Sequence, residues 1–184
     1  MSRIPKQDEI DNVISKASCL YTLEQVDMAL DELASKLTDE FANKNPVILT
    51  VMTGGMLFSG RLLPRLNFPL EVDYLHVTRY QAKMVGERVR WLVQPLTSLI
   101  GRHVVIIDDI HDVGATLDDI VDYCSERGAR SISTVALVNK NHDRKISEVD
   151  YSALDVPDKF IFGCGMDYFG YWRNAPGIFA LDDI

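Results

Sequence analysis

At 184 residues, with 47% hydrophobic and 25% charged side chains, the chain has the length for one domain with its own core and is too apolar for a disordered one. A formal net charge of −8 argues against a broad nucleic-acid surface, which needs a basic footprint. No stretch approaches ~18 consecutive apolar residues, so no membrane span is expected. The early acids of MSRIPKQDEIDNVIS do not suit a signal peptide, and the expected setting is the cytoplasm. Cys19, Cys124 and Cys164 have neither disulfide-framework nor zinc spacing and read as free buried thiols.

A short helix is expected from about Asp8 to Ala17. From Thr22 to about Ala42, Leu23, Val26, Leu30, Leu33, Leu37 and Phe41 recur at steps of three and four, which predicts a longer one. Thr22 and Gln25 form a capping box at its start. Pro46 opens PVILTVM, a buried strand, broken by Thr53-Gly54-Gly55 before a short helix that stops near Pro64. Residues 70–78 alternate as a strand and Val89 to Val93 resumes one, with a longer polar loop between them. Val104 to Asp108 is the next strand, followed by a helix from Thr116 to Glu126, with Gly128 closing it. Ser131 to Val138 and Lys159 to Phe162 complete the expected strands. The alternation of strands and helices predicts an α/β domain with a mostly parallel central sheet.

The informative stretch is VVIIDDIHDVGATL, residues 104–117. A dry strand leads into Asp108, Asp109 and Asp112, with both of the paired acids expected to emerge at its carboxyl end. In a parallel sheet that is where ligands gather. Gly114 allows a tight turn, and successive backbone N–H groups with the Thr116 hydroxyl make an anion cradle. The carboxylates beside it suit sugar hydroxyls or a magnesium ion. GxGxxG and GxxxxGK[ST] are both absent, which removes the dinucleotide fingerprint and the P-loop.

This motif resembles the phosphoribosyl-pyrophosphate (PRPP) signature of type I phosphoribosyltransferases: apolar strand, two acids, two residues, Asp, then a small loop ending in Thr. VPDKFIFGCGMDYFGYWR, residues 156–173, resembles the purine-binding part of the hypoxanthine-guanine branch. The resemblance implies a twisted, mostly parallel sheet flanked by helices, with a small hood from the N- and C-terminal segments. It divides one domain into N-terminal helices contributing to the hood (1–45), a core with the PRPP site (46–140) and a purine-binding C-terminal part (141–184).

The roles that the resemblance implies are specific. Asp108 and Asp109 would meet the ribose and, with Asp167, Mg²⁺. Asp112 would be the general base at the purine, and Asp112, Val113, Gly114, Ala115 and Thr116 would hold the 5′-phosphate. Thr53, Gly54 and Arg173 would contact pyrophosphate. Lys140 would donate to the purine 6-oxo group, Phe160 would stack on the base, and the Ile161 backbone would meet its edge. An aromatic face suits a heterocycle, and a lysine donor favours a 6-oxo over a 6-amino purine. Arg79 and Tyr80 would belong to a loop that closes over PRPP.

The expected activity is transfer of the phosphoribosyl group from PRPP to hypoxanthine or guanine, giving IMP or GMP and pyrophosphate. The alternatives are a PRPP-binding regulator of the same fold and an enzyme preferring xanthine. A homodimer or homotetramer is implied, with no nucleic-acid or membrane partner. Departures from the pattern include Thr53, Asp108, His111 and Val113. Thr53 stands where a basic residue is usual, and the family often has a cis peptide at the bond before it, here Met52–Thr53. Asp108 stands where Glu is commoner. His111 invites an acid–base role but reads more simply as a variable loop position.

Overall fold

The computed structural model of the chain describes residues 5–78 and 89–182. Its first half runs α1 (Gln7–Lys16), β1 (Ser18–Thr22), α2 (Leu23–Phe41), β2 (Val47–Met52), α3 (Gly55–Leu62), a 3-10 turn (Leu63–Arg65), β3 (Glu71–Thr78) and β4 (Arg90–Val93). β5 (His103–His111), α4 (Ala115–Glu126), β6 (Ser131–Asn141), β7 (Tyr151–Pro157), β8 (Phe160–Phe162) and β9 (Gly177–Leu181) follow.

Six strands form the central sheet in the order β4-β3-β2-β5-β6-β7, and only the β3–β4 pair is antiparallel. The cause is visible in β2 and β5. A parallel strand covered on both faces has no solvent side, so its residues are apolar throughout rather than alternating. Val105 and Ile107 pack under α2 and α3 with Leu30, Leu33 and Phe58, while Val104 and Ile106 pack under α4 with Ile120 and Cys124. The predicted stripe of α2 is buried from Val26 to Phe41, but Leu23, in the first turn, is 41% exposed. Thr22 and Gln25 form the expected capping box, with the Gln25 N–H donating to Thr22 Oγ1 at 3.3 Å. At the end of α4, Gly128 is left-handed at φ 78°, as a closing glycine requires.

A second, antiparallel sheet has the order β1-β9-β8. It is the expected hood, built from both ends of the chain, with α1 against it through Val13, Phe162 and Ala175. Trp172 ties the two by donating from Nε1 to the Ile10 carbonyl at 2.6 Å. Of the N-terminal helices, α1 lies on this small sheet, and α2 packs on both the central sheet and β9 of the hood. β1, β7 and β9 escaped the sequence reading. β1 and β9 find each other across the whole chain, with Ser18 opposite Ala180, and β7 is an edge strand that carries Asp155 and ends on Pro157. Such segments gain strand character from their partners, not from their own pattern. Cys124 and Cys164 are buried free thiols as expected, but Cys19, on β1, is exposed. Burial pushes the Cys124 thiol up to about 12, leaving it unreactive.

Asp73 helps to tie down the link between β4 and β5. Asp73 accepts from the backbone N–H groups of Tyr74, Leu96 and Thr97 at 2.7–2.8 Å. Burial pushes its pKa up, but these three donors outweigh burial and hold it below the usual range. A depressed folded-state pKa contributes stability above the unfolded value of about 3.9 that is lost as pH falls through the folded value. Asp73→Asn is therefore expected to cost about 1–3 kcal/mol at neutral pH and to flatten the acid side of the stability curve. Urea denaturation at neutral and acid pH checks both; an equal cost at the two would contradict this account.

Candidate active site

The cleft arises where two strands part. β2 pairs with β5 only as far as Thr50 opposite Ile107, whereas β6 stays with β5 through His111 opposite Asn139. Beyond Ile107, β5 has lost one neighbour, and the chain after β2 turns away through Thr53 and Gly54 into α3. The strand thus continues through Asp108, Asp109 and His111, rather than ending at Asp108 as the sequence reading had it. The reason is the length of β6, which reaches Asn141 and keeps β5 extended. The resulting cleft, of about 520 Å³, has a volume suited to a small-molecule site. Thr53, Gly54, Asp108, Asp109, Asp112, Thr116, Lys140, Phe160, Ile161, Asp167 and Arg173 line it.

At its floor lie the two acids. The Asp109 N–H donates to Asp108 Oδ1 at 2.9 Å, and Asp109 is 8% exposed. Burial, and then the charge of Asp109, drive the Asp108 pKa well up; burial likewise raises that of Asp109 against the opposing pull of Arg173. Two crowded carboxylates with so little compensation suit a hard divalent cation or sugar hydroxyls. Asp109 also explains Gly54. A Cβ there would stand 2.0 Å from Asp109 Oδ2, so only glycine lets the loop lie on the carboxylate. The Met52–Thr53 peptide is cis, matching the family resemblance.

The turn after β5 forms the phosphate-type cradle. Gly114 is left-handed at φ 96° and precedes α4, whose first residues are Ala115 and Thr116. Nearby space of about 430 Å³ is lined by Asp112, Val113, Gly114, Ala115 and Thr116. His111 is not a loop residue: it is the last residue of β5, 1% exposed, with Nε2 3.0 Å from the Ser147 carbonyl.

Asp112 sits between β5 and α4 and meets two donors from the far side. Lys140 Nζ is 3.2 Å from its Oδ2, and His142 Nε2 is 2.6 Å from its Oδ1. Lys140 belongs to β6, one strand over, and its side chain is only 12% exposed. It is no solvated surface lysine. Burial pushes the Asp112 pKa up, yet the hydrogen bonds from His142 and Lys140 prevail and hold it below the usual carboxylate range. Asp112, His142 and Asp158 place one donor atom each within 4.8 Å of one another. Lys140 lies 3.2 and 3.9 Å from the two carboxylates, and Arg144 reaches Asp158 at 2.7 Å, so cationic side chains already compensate this cluster.

On the hood side, Phe160 lies near-parallel to Phe169 at 6.1 Å and edge-on to Tyr168 at 6.0 Å. Ile161 is its buried neighbour in β8. Arg173 bridges the hood to the floor: Nη2 is 2.6 Å from Asp167 Oδ1, while Nη1 donates to the Gly165 carbonyl at 2.6 Å and stands 3.8 Å from Asp109. Asp167 is thereby already paired, and it accepts the Gly170 N–H as well. Arg79 and Tyr80 lie outside the described residues.

Residues 17–168, most of the chain, match the phosphoribosyl transferase domain family. The chain belongs to that family. Among relatives, the hypoxanthine-guanine phosphoribosyltransferase of Streptococcus agalactiae serotype V is 33% identical over 176 residues, covering 95% of this chain and 97% of that protein. The hypoxanthine-guanine-xanthine phosphoribosyltransferase of Tritrichomonas foetus is 30% identical and covers 100% of this chain and 98% of its own. A solved hypoxanthine phosphoribosyltransferase from Staphylococcus aureus superposes with a TM-score of 0.86 at 28% identity, covering 92% of this chain and 94% of that one.

The type I phosphoribosyltransferase fold is therefore the fold of this chain, and the sequence motif sits at its cleft. Three contributors to this phosphoribosyltransferase cleft went unread. Gly165, at φ 122°, lays its Cα against the Gly54 carbonyl and Asp109, where a Cβ would come within 2.5 and 3.2 Å. Its signal is a glycine between Phe162 and Asp167, in the stretch that resembles the purine-binding part. His142 lies in no motif, and Asp158, though inside the 156–173 stretch, was given no role; both come together at the ends of β6 and β7.

Proposed function

We propose that the protein is a purine-salvage enzyme: it transfers the 5-phosphoribosyl group of PRPP to hypoxanthine or guanine, releasing pyrophosphate. The observation that carries this reading is the Lys140–Asp112 pair, 3.2 Å apart in a cleft with Phe160 on one side and the 113–116 cradle on the other. A donor and an acceptor side by side match the 6-oxo oxygen and N7 edge of an oxopurine. The names of the relatives point the same way. The 184 residues read as one domain, with the PRPP core in 46–140 and the purine-binding C-terminal part in 141–184, while Lys140 and Arg173 each serve the other part.

Bond cleavage at the anomeric carbon builds positive charge on the ribose and negative charge on the departing pyrophosphate. Arg173 and the backbone of Thr53 and Gly54 face the pyrophosphate, and Val113 to Thr116 hold the 5′-phosphate. Mg²⁺, when bound with PRPP, adds positive charge at the leaving group, and Asp108 and Asp109, with Asp167, are the residues that would hold it. Lys140 donates to the 6-oxo oxygen. In doing so it leaves Asp112, whose carboxylate becomes more basic as the purine needs to lose its proton. Phe160 stacks on the base and the Ile161 backbone meets its edge. Arg79 and Tyr80 are assigned to closing the site against water.

The test is the purified protein with PRPP, Mg²⁺ and each of hypoxanthine, guanine, xanthine and adenine. Turnover is expected with hypoxanthine or guanine, and none with adenine; failure with every 6-oxopurine would sink the reading. The whole-chain match to a relative named for xanthine as well makes xanthine the informative third arm. No helix among the described residues is long and apolar enough to cross a membrane, and a cytoplasmic site of action is proposed. A homodimer or homotetramer is proposed too. The exposed Val72, Tyr74 and Leu92 on β3 and β4 supply apolar surface for it, and light scattering reads the state.

A further inference from the structure

His142 has no part in the reaction just described, yet its side chain is only 4% exposed and touches Asp112. It stands just past the end of β6, behind Asp112 and outside the cleft wall. Its two ring nitrogens have different partners. Nδ1 accepts the backbone N–H of Arg144 at 3.2 Å, and Nε2 lies 2.6 Å from Asp112 Oδ1. A ring nitrogen that accepts an amide hydrogen carries none, so in the neutral ring the proton is on Nε2, aimed at the carboxylate. Lys140 covers the other oxygen, Oδ2. Both oxygens of one carboxylate are thus held, which fixes its rotation.

The segment that carries His142 is itself fastened to the turn that carries Asp112. Ile146 donates its N–H to the Val113 carbonyl at 2.9 Å, and the ring of His111 reaches the Ser147 carbonyl at 3.0 Å. Residues 142–147 therefore close onto residues 111–113 at three points, on both sides of Asp112. The charged groups around His142 are Asp112, Lys140, Asp158 and Arg144. Arg144 binds both oxygens of Asp158 at 2.7 Å, which leaves Asp112 as the carboxylate facing Nε2.

We propose that His142 is a positioning residue for Asp112: a neutral Nε2–H donor that keeps the carboxylate ionised and turned toward the purine when Lys140 leaves it for the ligand. This rests on the assignment of Asp112 as proton acceptor. The division of labour follows from geometry. Lys140 lines the cleft and can move to a base, whereas His142 is behind the carboxylate and stays. Without His142, Asp112 Oδ1 would lose the donor held against it at the moment of proton transfer.

The test compares His142→Leu, His142→Asn and His142→Gln in the full-length protein. The glutamine amide nitrogen reaches where Nε2 stands; the asparagine one does not. In the Leu and Asn variants kcat is expected to fall about tenfold or more, as for loss of a hydrogen bond to a charged group. KM for PRPP should hold, and the acid limb of the kcat profile should move to higher pH. Gln should restore the acid limb and most of kcat. A Leu variant with the parent acid limb, or Gln and Asn variants that behave alike, would overturn the proposal. If Leu does not fold, as judged by its thermal melt, the Gln–Asn contrast carries the test. An inactive parent protein would instead sink the functional reading. In that case ¹⁵N NMR of the histidine rings, with His142 assigned by its loss in the Gln variant, still decides: an Nε2–H tautomer is expected, and an Nδ1–H tautomer refutes the proposal.

Discussion

Replacing Asp112 with asparagine is expected to lower kcat by roughly 10²–10⁴-fold, the range for losing a positioned general base, with the KM for PRPP little changed. The separation of the two constants follows from the position of Asp112. Its side chain meets Lys140 from the cleft and His142 from behind, while the proposed phosphate cradle is the backbone from Val113 to Thr116. Asparagine keeps the shape and removes the charge. It also turns an amide N–H toward Lys140 or His142, both donors, so the pair that held the carboxylate now opposes its substitute. Steady-state kinetics with PRPP and a 6-oxopurine read the effect. A kcat within a few-fold of the parent would remove Asp112 from its role; a matching rise in the KM for PRPP would make it a phosphate ligand instead.

Gly54→Ala should be nearly as damaging although it adds a single methyl. The new Cβ would stand 2.0 Å from Asp109 Oδ2 and 2.4 Å from its Cγ. Asp109 cannot step aside cheaply: it is 8% exposed, Gly165 is packed behind its Cβ, and Arg173 stands 3.8 Å from its carboxylate. Either the loop at Gly54, proposed to meet pyrophosphate, lifts or the acid floor shifts, by about 1 Å, and a misplacement of that size costs on the order of 10²-fold in kcat/KM. Gly60→Ala is the matched control. It lies in α3, the helix that Gly54 precedes, with nothing within 4 Å of its added Cβ, and alanine there is expected to leave activity unchanged and to stabilise slightly. Parent-like kcat/KM for Gly54→Ala, or equal losses for both variants, would show that contact with Asp109 does not shape the site.

Much of the site was legible because it is local. A phosphate cradle needs consecutive backbone N–H groups, a glycine for the turn and a helix start, and all of these lie within residues 104–117. The strand's length was misread for the opposite reason. Nothing in IIDDIH announces that pairing continues to His111; that depends on β6 reaching Asn141 beside it. His111 was misplaced in consequence, as a loop residue where it is a buried strand end. The capping box of α2 and the closing glycine of α4 were read correctly, since each rests on hydrogen bonds between residues a few positions apart.

By itself the sequence determined the α/β alternation, the dry strands, the helix ends and the PRPP-type turn, because periodicity and short-range hydrogen bonds act within a few residues. Tertiary structure alone decided where β2 leaves β5 and so opens the cleft, which chain ends pair to make the hood, and which side chains meet in it. Asp112 meets Lys140 and His142 across 28 and 30 residues, and Gly54 meets Asp109 and Gly165 across still longer gaps. Such contacts are set by strand order and register, and a shift of one residue would turn each side chain to the other face of its strand.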